Sequence, residues 1–98
     1  MEELRRQFTE DMECLCRDIK EVSHNPSRFI EMLKSGDSVA VAKRLVMHEP
    51  TSTFKKLASI NKLHLTVEYY VVMPKYRPLF NEEIIQVSKK RLDDYKWN

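Results

Sequence analysis

Ninety-eight residues hold one domain and not two, since an independently cored domain needs roughly 50 to 200 residues. Apolar side chains make up 42% and charged ones 33%, which excludes a disordered tail, and the single glycine, Gly36, excludes a glycine-rich phosphate loop or a dinucleotide fingerprint. Seventeen basic against fifteen acidic side chains leave a net charge of +2, too small to argue by itself for a polyanionic partner.

In the first 22 residues Leu4, Phe8, Met12, Leu15, Ile19 and Val22 recur at steps of four, four, three, four and three, which predicts one long amphipathic helix. Cys14 and Cys16 diverge by about 200° on such a helix and cannot close a disulfide, so both are expected as free thiols, with Cys16 at the edge of the stripe and Cys14 outside it. Free thiols, no visible secretory signal and no apolar run near the roughly 18 residues of a membrane span predict a reducing, cytoplasmic setting and no membrane contact.

Asn25-Pro26-Ser27 predicts a helix start with asparagine as the cap, and Gly36 a left-handed end to the short helix carrying Phe29, Ile30 and Leu33. Asp37 or Ser38 caps the next helix, about Val39 to Met47, which His48-Glu49-Pro50 terminates. Thr51 or Ser52 opens another, with Phe54, Leu57 and Ala58 on one side and Lys55 and Lys56 on the other. The segment 63–73 fits strand or helix. Helix is expected, capped by Thr66, because a lone strand would find no partner for its backbone amides. Pro74 and Pro78 bracket an extended link, Lys75-Tyr76-Arg77, and Asn81 caps a last helix with Glu82 and Glu83 in its first turn. The expectation is an all-α, compact single-domain bundle of five to six helices over 1–98. Its core should hold Leu4, Phe8, Leu15, Ile19, Phe29, Leu33, Leu45, Phe54, Leu57, Val67, Tyr70, Val71 and Ile84.

Ala42-Lys43-Arg44-Leu45, Ser52-Thr53-Phe54 with Leu57, Leu63 to Glu68, Pro74-Lys75-Tyr76, Leu79-Phe80 and Arg91-Leu92 with Tyr95 follow one another in an order that resembles a small bacterial helical module, found alone or attached to larger proteins. The resemblance spans roughly two-thirds of the chain and implies no activity; Thr53 and Asn61-Lys62 stand where the module carries glycine and a glycine-arginine pair.

No catalytic, cofactor or metal residues are expected. His24, His48 and His64 form no two-on-one-helix ligand pair, Pro50 breaks the helix that would extend His48-Glu49, and no serine sits in a glycine-flanked elbow. A helix-turn-helix reader is disfavoured, because the helix with Val67, Tyr69, Tyr70, Val71 and Val72 offers no arginine, asparagine or glutamine for base edges. The leading expectation is a non-enzymatic protein-interaction module whose first helix meets a protein partner or a second copy of the chain. The alternative is a nucleic-acid surface built from Lys43, Arg44, Lys55, Lys56, Lys62, Lys75, Arg77, Lys89, Lys90 and Arg91 with Tyr69, Tyr76 and Trp97. Arg91 falls within the arc set by Ile84, Val87 and Tyr95 and needs a carboxylate. Glu68, the only acid between Glu49 and Glu82, is the expected partner of a structural ion pair.

Overall fold

Steps of three and four bring Phe8, Met12, Leu15 and Ile19 onto the inner face of α1 (Glu2–Val22), where all four are buried. Leu4, one turn earlier, packs half-buried against the same core, and Val22, the last residue of the stripe, is 43% exposed. The structure is a computed structural model that describes residues 2–96. After α1 come α2 (Ser27–Ser35), α3 (Ser38–Met47), α4 (Ser52–Ser59), a 3-10 turn at Leu63–Leu65, α5 (Val67–Val71), a 3-10 helix at Pro74–Leu79 and α6 (Glu82–Asp94). The described residues contain no strand and form one all-α domain, with the radius of gyration, 12.5 Å, of a compact chain this long. None of its helices is long and apolar enough to cross a membrane.

Side-chain oxygens just ahead of apolar runs set the helix starts. Asp37 accepts from the Val39 amide, Thr51 from Phe54, Thr66 from Tyr69 and Asn81 from Ile84, each satisfying one donor that the first turn leaves free. Two expected signals fail. The Asn25 side chain accepts no capping bond from α2, whose N-cap is Pro26, and the Asn25 and Pro26 carbonyls accept from the Ser27 and Ile30 amides instead. Gly36 ends α2 in extended backbone (φ −154°), so it supplies no left-handed turn. The left-handed residue is Asn61 (φ 61°): the Asn61 amide donates to Ala58 O at 3.1 Å and the Lys62 amide to Leu57 O at 2.7 Å, closing the end of α4.

A second departure concerns 74–79. The expected extended link is a 3-10 helix, since proline's fixed φ suits a tight turn and Pro74 at its first position loses no hydrogen bond. That turn carries Tyr76 into the core, fully buried and edge-on to Phe8 at 5.0 Å, with Phe80 on the other side of Phe8 at 5.4 Å. The phenol donates to Asp11 on α1, and burial together with that carboxylate pushes its ionisation well above the ordinary tyrosine value.

Of the remaining expected core residues, Leu15, Phe54, Leu57, Val67, Val71 and Ile84 are buried, whereas Phe29, Leu33, Leu45 and Tyr70 are half-buried against the core. α3 lies between α1 on one side and α5 and α6 on the other, and Ala42 on its buried face leaves room for close approach. Ser88 of α6 is also fully buried, and its hydroxyl has no hydrogen-bond partner among the described residues. An unpaired buried hydroxyl costs about 1–3 kcal/mol, so Ser88→Ala is expected to be neutral or to raise stability by about 1 kcal/mol in urea denaturation. A loss above about 1 kcal/mol would show that the hydroxyl is satisfied after all.

Candidate functional site

Between α1, α2, α3, α4 and the 65–68 segment lies an open groove of about 520 Å³. Its apolar lining comes from Ile19 of α1, Phe29 and Met32 of α2, Leu45 of α3, Phe54 and Leu57 of α4, and Leu65 and Val67. Polar lining is supplied by Arg28, Arg44, His48, the Thr51-Ser52-Thr53 entry to α4, Thr66 and Glu68. The wall formed by α2 differs from the others: no residue of that helix is buried, and Phe29, Ile30, Met32 and Leu33 all remain half-buried on its apolar face.

The groove floor is held by an ion pair. Arg91 Nη1 donates to Glu68 Oε2 at 2.8 Å, with only 10% and 6% of the two side chains exposed. The same guanidinium donates to Val46 O at 2.9 Å and His48 O at 2.6 Å, with a longer contact to Leu45 O at 3.4 Å. Arg91 therefore closes the C-terminal end of α3, whose last carbonyls have no partner within the helix, and neutralises Glu68 in one placement. Burial raises the Glu68 carboxyl above its ordinary value and outweighs the opposing pull of Arg91. In the sequence, the arc of Arg91 and the scarcity of acids nearby point to Glu68, and nothing there marks the α3 carbonyls.

Comparison with family models, with curated proteins and with solved structures yields no match.

The expected basic residues are distributed over α3, α4, the 74–79 turn and α6, with Lys62 after α4. Arg44 lines the groove and Lys43 is half-buried on α3, while Lys55 and Lys56 are exposed on α4 and Lys62 is half-buried beyond it. Lys75 sits 5.2 Å from the centre of the Tyr76 ring, Arg77 pairs with Glu82 at 2.9 Å, and Lys90 meets Asp94 at 3.4 Å, with Lys89 exposed nearby in sequence. Arg91 is consumed in the floor. Tyr76, expected as a stacking platform, is a core residue, and Tyr69 faces solvent edge-on to His64 and Tyr70. Trp97, the third expected platform, lies outside the described residues.

The histidines are spread out. His24 Nδ1 lies 2.9 Å from Ser23 Oγ and its Nε2 3.1 Å from Thr53 Oγ1, tying the exit of α1 to the entry of α4. His48 Nδ1 is 2.7 Å from Arg44 O. Among the described residues, no group of three His, Cys, Asp or Glu side chains is placed to hold a metal ion.

Cys14 is exposed and Cys16 buried, with burial and the charge of Glu13 pushing the Cys16 thiol up to about 11. A disulfide-exchange reagent such as DTNB at pH 8 should titrate one thiol rapidly and the second only on unfolding. Cys14→Ser should remove the fast phase, and two fast thiols would contradict the packing of α1.

Proposed function

We propose that the protein is a small non-enzymatic interaction module and that the groove bounded by α2 is where a protein partner docks. The observation that carries this is the apolar face of α2, which this chain covers only half-way while the other five α-helices each bury at least three residues. The stripe on α1, the other candidate contact, is spent on the core, so a partner on that helix would meet its charged outer face. A binding role also agrees with the state of the groove's titratable groups, because Glu68 is engaged by Arg91 and His48 Nδ1 by a backbone carbonyl. The nucleic-acid alternative loses support from the burial of Tyr76 and the pairing of Arg77 and Lys90. The test is site-specific photo-crosslinking in cells that make the protein. A benzophenone side chain at Met32 should give a discrete adduct that the same probe at exposed Lys89 does not. No adduct at Met32, or the same adduct from both positions, would overturn the reading.

A further inference from the structure

The charge of the groove says more about its occupant. Of the seven arginines in the chain, Arg5, Arg6, Arg77 and Arg91 are in ion pairs, and the three without one among the described residues are Arg17, Arg28 and Arg44. Two of those three, Arg28 at the start of α2 and Arg44 near the end of α3, line the groove. The one carboxylate among the described residues that line it, Glu68, is neutralised by Arg91, so the charge left over for an occupant is positive. The same groove has apolar lining from half-buried Phe29 and Met32, and methionine adapts its shape to what covers it.

Backbone geometry narrows the form of the occupant. A peptide docking by strand addition needs a sheet edge for its amides and carbonyls, and the described residues contain no strand, whereas a helix satisfies its own backbone and offers one apolar face. We infer that the groove takes an acidic amphipathic helix of a partner protein, whose apolar side chains complete the cover of α2 and whose carboxylates are received by Arg28 and Arg44. This rests on the groove being the docking face. It adds the sign of the partner's charge and the two residues that read it, since a planar guanidinium fork matches a carboxylate in geometry as well as in charge.

Two fluorescein-labelled helical peptides of about 15 residues make the test, both with leucines at i, i+3, i+4 and i+7, one with glutamates and the other with lysines flanking them. Fluorescence anisotropy should show the glutamate peptide binding roughly tenfold or more tightly, and amide resonances of Phe29, Met32 and Phe54 should shift as it binds. Arg28→Glu with Arg44→Glu should reverse the preference, and the equal charge change Lys75→Glu with Lys89→Glu should leave it in place. All four side chains are exposed, and circular dichroism on each variant confirms that the helices persist. Equal binding of the two peptides at the groove would overturn the charge assignment and leave the docking face standing. Binding of neither would remove both. A concentration-dependent dimer in light scattering that the arginine reversal dissolves would replace the acidic partner with a second copy of the chain.

Discussion

Arg91→Ala is expected to remove about 3–5 kcal/mol of folding stability, because deleting one member of a buried pair strands the other charge in the interior. For a domain whose whole stability is about 5–15 kcal/mol this is a large fraction, and the melting temperature should fall by on the order of 15 °C. The loss should exceed that of Glu68→Ala. Arg91 also serves the Val46 and His48 carbonyls at the end of α3, and those contacts survive when Glu68 is removed but not when Arg91 is. The double variant should cost clearly less than the sum of the two, since removing both charges cancels the penalty of an unpaired one. Urea denaturation of the four proteins closes the cycle. Additive losses, each below about 1 kcal/mol, would mean a solvated pair of little consequence.

Tyr76→Ala should cost about 3–5 kcal/mol, in the range of other large aromatics cut back to alanine in a core. The ring fills the space between the 74–79 turn and α1, edge-on to Phe8 at 5.0 Å, and the turn, stiffened by Pro74 and Pro78, cannot collapse easily into the void. Tyr76→Phe separates the ring from the hydroxyl. Asp11 is half-buried, so water can replace the lost donor, and the expected cost is only about 1 kcal/mol. A phenylalanine variant as damaged as the alanine one would place the stabilisation in the hydrogen bond to Asp11 and not in the packing.

The contrast between these two residues shows what is legible in the amino-acid order. Arg91 was placed inward by its angular position on α6, and Glu68 was the only acid within reach in that stretch, so local periodicity and scarcity together pointed to the pair. Thr66 and Asn81 are legible as caps for a similar reason, because a short polar side chain before an apolar run has one common use, while Asp37 and Thr51 each share that reading with the serine that follows. Tyr76 was hidden: flanked by Lys75 and Arg77 and bracketed by prolines, it has no periodic neighbours to mark it as internal, and only the long-range approach of α1 buries it. The same limit explains why Asn61 rather than Gly36 takes the left-handed position, since the demand for positive φ arises from how α4 must turn and not from which residue best tolerates it. The groove was invisible for a further reason. Five helices and a turn line it, and no spacing within any one of them encodes how far apart they stand.

The sparse anchoring of α2 also bears on how the molecule opens. With no buried side chain of its own, that helix can unfold locally at little cost to the rest of the core, so its amide protons should exchange with solvent deuterium well before those of α1 or α6. Whatever binds only the folded form of α2 must slow that exchange by the factor one plus the ratio of free ligand to its dissociation constant. Deuterium uptake in residues 27–35 is thus a gauge of groove occupancy that needs neither a label nor the identity of the partner.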